Sequence, residues 1–462
     1  MKRYLILAAC TALVTLGACA GDSKFPEATG EGSVRAINTI STSPAFSFLV
    51  EERVVGNVEY RTASITSQYD DLEYTFNFEV ALAGDSTRTR VASEFVDVVA
   101  DKDYTFVISG AIAAPAITLW EGDVRDWSGD ETVFEARLAH TAASLDNIDV
   151  YLAPAMDPPT PPVAGAAIGT LAFGEILPAA DFDEGAYILT VTEAGDETTV
   201  LFQSDPFTPA ARTSVIVSVF DADANELAPV SVTLINATSG GNSRLVDSTF
   251  SPTARFYHAS IDLGNVDIYI EDPLGTPVVS DQVFRGVSGD IEVPAGDLPL
   301  TYTTAGNMGM VLIDQERIIS PGSQTSYYLI KSAAGEDAIV TSNPDRRPIE
   351  TFARLNIINT STNHTAVDIY FVQIVPPDPD NPPPDDPIAD VQPLIANLPL
   401  GGSPAALPLF EGSYDLYVTV SGTKDVLAGP ERLDLLAGDI EEAIIYDNAD
   451  PAIADLVVIP SP

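Results

Sequence analysis

From residue 33 onward the chain alternates apolar and polar positions in short runs with a period of two. The runs are dense in Val, Ile, Thr, Tyr and Phe, and Gly, Pro, Asp and Asn break them every few residues. That is the pattern of strands joined by turns. In Ile148-Asp149-Val150-Tyr151-Leu152 the aliphatic residues share one face, and Asp149 and Tyr151 share the other. Residues 74–78, 185–191, 300–303 and 414–420 read the same way. No long stretch beyond the first residues carries a helical period. The pattern predicts an all-β chain of immunoglobulin-like β-sandwiches.

The alternation recurs in four related segments. Their openings are Val34-Arg35-Ala36-Ile37-Asn38, Ala136-Arg137-Leu138-Ala139-His140, Ala254-Arg255-Phe256-Tyr257-His258 and Leu355-Asn356-Ile357-Ile358-Asn359. Twelve positions after Arg35, Arg137, Arg255 and Asn356 stand Ser47, Asp149, Asp267 and Asp368. The repeats are about 100 residues long, enough for each to bury its own core. The expected tandem units are 33–125, 132–238, 252–342 and 351–462, separated by turn-rich junctions at 122–130, 239–252 and 343–348. Ser239-Gly240-Gly241-Asn242-Ser243 reads as a linker. Pro-rich loops at 154–162 and 375–387 follow matching strands and read as extended and solvated.

The openings resemble the domain-of-unknown-function family 4397 (DUF4397). Arg255, His258, Ala259, Ser260, Asp267 and Tyr269 carry the likeness most fully, followed by Arg137, His140, Asp149 and Tyr151. The fourth segment keeps Asp368 and Tyr370, and the first is the most divergent. The resemblance implies a β-sandwich in an exported protein and no particular activity.

The chain begins with a different kind of segment. Lys2 and Arg3 precede an apolar run over 4–16, shorter than the ~20 residues that span a bilayer. The run ends in Leu16-Gly17-Ala18-Cys19, which resembles the lipobox of bacterial lipoproteins. That resemblance implies a signal peptide over 1–18, lipidation of Cys19 and a flexible tether over 19–32. A second candidate ends at Cys10, but it leaves too short an apolar core before the cut. Cys10 therefore departs with the signal and Cys19 carries lipid, so no disulfide is expected. Ala20 after the lipidated cysteine, in place of Asp, resembles the outer-membrane address of Gram-negative lipoproteins. The membrane, through this lipid, is the first expected partner.

The formal net charge is −45, which makes nucleic acid and anionic headgroups poor partners. Candidate chemistry is sparse. If the opening strands form hairpins, Arg137 can pair with Asp149 and Arg255 with Asp267, as cross-strand ion pairs that set register. His140 and His258 fall on the core face near a strand end and read as structural hydrogen bonders. Asn in the same position of the other two units can make similar bonds but cannot carry a proton near neutral pH. Asp378, Asp380, Asp385 and Asp386 crowd one loop, but its prolines oppose the curl a calcium site needs. Asp101 and Asp103 read as a turn. No zinc, nucleophile or phosphate-loop motif is present, so no catalytic residue, metal or cofactor is expected. These features favour a non-catalytic structural or binding protein engaging a protein or a glycan. The alternative is an envelope enzyme with a site assembled between units, which a deep cleft of converging carboxylates would favour.

Overall fold

The computed structural model describes residues 27–84, 87–156, 165, 167–270, 275–375 and 386–461. Cys10, Cys19, Asp378, Asp380, Asp385 and most of the two Pro-rich loops lie outside the described residues. Among those described there is no helix. The first unit has strands β1 (Glu31–Asn38), β2 (Phe46–Val50), β3 (Arg53–Val58), β4 (Ser67–Asp70), β5 (Glu73–Ala81), β6 (Arg88–Asp97), β7 (Lys102–Ala111) and β8 (Ala114–Asp123). They form two four-stranded sheets in the orders β4-β1-β7-β8 and β3-β2-β5-β6. Strand β1 pairs antiparallel with β4 and parallel with β7.

The other three units repeat both sheet orders. Their equivalents of β1 are Val133–His140, Thr253–His258 and Ala353–Asn359. Those of β2 are Ile148–Pro154, Val266–Ile270 and Ala366–Gln373, and those of β7 are Ser214–Asp221, Gln324–Lys331 and Ile440–Asp447. Each unit is a β-sandwich. Its layering is immunoglobulin-like, but eight strands and the parallel β1–β7 ladder replace the seven-stranded ABED/CFG division.

Each sandwich closes over its own core. In the first unit Phe48, Phe76, Phe78 and Phe106 pack together, with the Phe76 and Phe106 rings 4.4 Å apart. Fully burying such a side chain contributes about 1.5–3 kcal/mol, so each core alone accounts for the alternating pattern.

The sheets containing β1 and β7 are apolar on their outer faces as well. Ile37, Val107 and Trp120 of the first unit pack on Ala139, Ile216, Phe220 and Ile235 of the second. Tyr257, Tyr328 and Ile330 of the third pack on Ile358, Ile444 and Tyr446 of the fourth. The units are therefore joined in two pairs. The segment between the third and fourth units ties the pairs together: Arg347 donates to the carbonyls of Ser41 and Ser43 at 2.9 and 2.8 Å, and Asn225 bonds Asp345 at 2.9 Å.

Two sequence expectations change. Residues 239–243 are not a free linker, because Asn242–Arg244 adds a fifth strand to one sheet of the second unit. The turn before it presses on the first unit: a Cβ on Gly240 would lie 2.2 Å from Ser64 O. The opening strands also form no hairpins. In every unit β1 and β2, or their equivalents, lie in opposite sheets.

Candidate functional site

The last residue of each β1-type strand is Asn38, His140, His258 or Asn359, and all four are fully buried. His140 Nε2 donates to Asp146 O at 2.9 Å, and its Nδ1 accepts from the Ala142 amide at 3.3 Å. His258 bonds Gly264 O at 3.0 Å and the Ser260 amide at 3.4 Å. Asn359 uses Nδ2 toward His364 O at 3.0 Å and Oδ1 toward the Ser361 amide at 3.0 Å. Asn38 Oδ1 accepts from the Ile40 amide at 3.0 Å. A neutral imidazole and a carboxamide both present a donor and an acceptor, so they interchange as staples of the inter-sheet link. Burial pushes the pKa of both histidines down, so the neutral form prevails near pH 7.

The recurring aspartates also have local partners. Asp149 accepts from the Gly195 amide at 2.8 Å and from the Thr170 hydroxyl. Asp267 accepts from the amides of Asp281 and Gly306, both at 2.8 Å. Asp368 accepts from those of Asn397 and Gly422 at 2.7 and 2.8 Å. Each pins turns of its own sheet. The Arg137–Asp149 and Arg255–Asp267 pairs do not form, because each partner lies on the outer face of a different sheet.

The arginines instead face the neighbouring unit. Arg35 is fully buried and grips Asp103 with both terminal nitrogens, Nη1 to Oδ2 at 2.7 Å. Its Nε donates to Thr66 Oγ1 at 3.1 Å, and Nη2 reaches Ala237 O in the second unit. Asp103 is thus a structural counter-ion in β7 rather than a turn residue. Arg255 holds Asp290 through Nε and Nη2 at 3.0 and 2.8 Å. Arg137 makes one long hydrogen bond, Nε to Leu177 O at 3.4 Å, and its buried Nη1 has no partner. Burial pushes its pKa below the ordinary arginine value, with the fields of Asp103 and Glu135 opposing the shift and that of Arg35 adding to it.

Arg137 lines a cavity of about 800 Å³ between the first and second units. Ser33, Gln68, Asp103, Glu121 and Asp123 come from the first unit; Glu135, Ala179, Asp181 and Ser214 come from the second. Arg125, from the connecting segment, gathers Asp181, Glu131 at 2.6 Å and Glu135 at 3.5 Å. Lys102 pairs with Asp123. Among the described residues no three His, Cys, Asp or Glu side chains gather as metal ligands. Asp386 accepts from the Ile388 amide at 3.0 Å, as a turn residue does. The cleft was not legible in the sequence, since its lining comes from segments more than 200 residues apart.

The domain of unknown function DUF4397 matches residues 32–151 and 252–370, just over half of the chain. Each match spans one whole unit and ends in the β2-type strand of the next, at Tyr151 and Tyr370. The divergent first unit is thus included. No curated protein matches the chain. By these two matches the chain belongs to the DUF4397 family.

Proposed function

We propose that this protein is a lipid-anchored, extracytoplasmic binding or structural protein without catalytic activity, held at the outer membrane through Cys19. The observation that carries the reading is the joining of the sandwiches in two pairs by buried apolar faces. Rigid sandwiches with solvated loops and clefts present recognition surfaces at little ordering cost. Leu16-Gly17-Ala18-Cys19 supports the anchor, and the acidic surface favours a protein or glycan partner over nucleic acid. Cys19→Ala is expected to release the protein from membranes and abolish acyl labelling; retained labelling would sink the anchor. Crosslinking in intact cells from a photoreactive residue at Thr238, on the cleft wall, is expected to trap a discrete partner.

One observation favours a second reading, an envelope hydrolase: carboxylates from two units converge on the cleft. Against it, Asp103, Asp123, Glu135 and Asp181 are each held in an ion pair with a neighbouring cation rather than left free to meet a substrate. Turnover of a glycan or peptide panel that disappears in Glu121→Gln would establish the enzyme instead.

A further inference from the structure

We infer that the cleft between the first two units binds a small carboxylate-bearing ligand, whose carboxylate sits on Arg137 between Ser214 and Ala179. This deepens the reading of the chain as a binding protein and rests on it.

The argument comes from register. Arg35, Arg137 and Arg255 occupy the same rung of three equivalent strands. Two of them hold a carboxylate in a two-pronged grip, Asp103 for Arg35 and Asp290 for Arg255. Asp103 lies opposite Ser33 in the parallel ladder; the same rung in the second unit is Glu135 opposite Ser214. Asp290 immediately precedes the Ile291–Ala254 rung; the same rung in the second unit is Ala180–Ala136, so Ala179 stands where Asp290 does. Both places from which the fold supplies a counter-ion are therefore uncharged around Arg137, and both line the cavity. The fourth unit acts as an internal control. It has Ile440 and Ala406 at the two places, but its arginine is replaced by Asn356. Only the second unit keeps the cation and omits both partners.

Asp103 and Glu135 lie close enough for Arg137 to feel their fields, but Arg35 occupies both oxygens of Asp103 and Glu135 pairs with Arg125. Gly122 of β8 makes room for the group, since a Cβ there would lie 2.8 Å from Arg137 Nη1. A half-buried guanidinium with a buried, unpaired Nη1 and no counter-ion is unfavourable, and its planar fork matches a carboxylate. The acidic rim of Glu121, Asp123 and Asp181 repels multiply charged anions and offers acceptors to ligand hydroxyl or ammonium groups. A cavity of about 800 Å³ suits a small molecule.

The test is calorimetric titration of the detergent-solubilised full chain with glucuronate and acetate, with chloride at matched ionic strength as control. Wild type is expected to bind the carboxylates and not chloride. Arg137→Gln should weaken binding about tenfold or more. Ala179→Asp supplies an internal carboxylate at an exposed position, so it should abolish binding while the protein unfolds at the same or a higher temperature. That variant keeps the test decisive if Arg137→Gln fails to fold. No heat with any carboxylate, an equal response to chloride, or unchanged binding in Ala179→Asp would overturn the inference. A wild type that traps a partner in cells yet ignores carboxylates would overturn it while leaving the binding reading standing.

Discussion

The two inter-unit faces use the same strands in the same register and reach opposite ends. Between the third and fourth units, the rung that pairs Asn356 with Glu442 places a buried carboxylate against the neighbouring unit. Glu442 accepts from the hydroxyl of Tyr257 at 2.9 Å and from that of Tyr328, whose stacked rings lie 4.3 Å apart. Between the first and second units, the same rung pairs Arg137 with Ile216. A cation without a carboxylate replaces a carboxylate with two hydroxyl donors, and a cavity of about 800 Å³ remains beside it. Aliphatic and aromatic side chains join both faces, but the charge on one rung decides whether the face carries a satisfied network or an open site.

The largest way to break this comparison is to remove the buried cation that the first face does satisfy. Arg35→Met leaves Asp103 without its partner and should destabilise the protein by about 3–5 kcal/mol in urea unfolding. The double variant with Asp103→Leu should recover most of that loss, because no buried charge is then stranded. On the second face, Glu442→Leu leaves two enclosed tyrosine hydroxyls unpaired and should cost about 2–3 kcal/mol by the same measurement.

Alkali should separate the faces further. Burial pushes the pKa of Tyr257, Tyr328 and Tyr446 up on the second face, and that of Tyr60 alone on the first. The fold holds these phenols neutral, so their contribution is complete below the unfolded value of about 10 and is lost as pH rises beyond it. Phenolate absorbance with amide exchange at each face should show the second face opening first.

The smallest effect concerns the staples. His140→Asn and His258→Asn should each cost under about 1 kcal/mol, since Asn38 and Asn359 already perform this role. Burial holds both histidines below their ordinary value, so their contribution is complete above about pH 6.5 and declines as pH falls below it. The asparagine variants should flatten that part of the stability profile in melting experiments between about pH 7 and pH 5.

Period-two alternation makes the sandwiches, the four units and the buried staple positions legible, because the face a residue occupies is local information. The Arg–Asp pairing failed on nonlocal grounds. Alternation places Arg137 and Asp149 opposite the core but does not say in which sheet each lies. The links 141–147 and 259–265 held a signal, being longer than the two to five residues usual for a hairpin and long enough to cross ~10 Å between sheets. Asp103 reads as a turn residue in the sequence because an acidic residue near a turn looks the same whether water or a buried arginine meets it.

The sequence by itself determined the strand pattern, the repeat and the lipobox-like start, all of which depend on residues close together in the chain. Only the tertiary structure decided which sheet faces meet, which arginines find a carboxylate, and that Arg137 finds none. Pairing across a ladder and packing between units bring together residues far apart in sequence, and the worth of a charge depends on the neighbours that arrive with it.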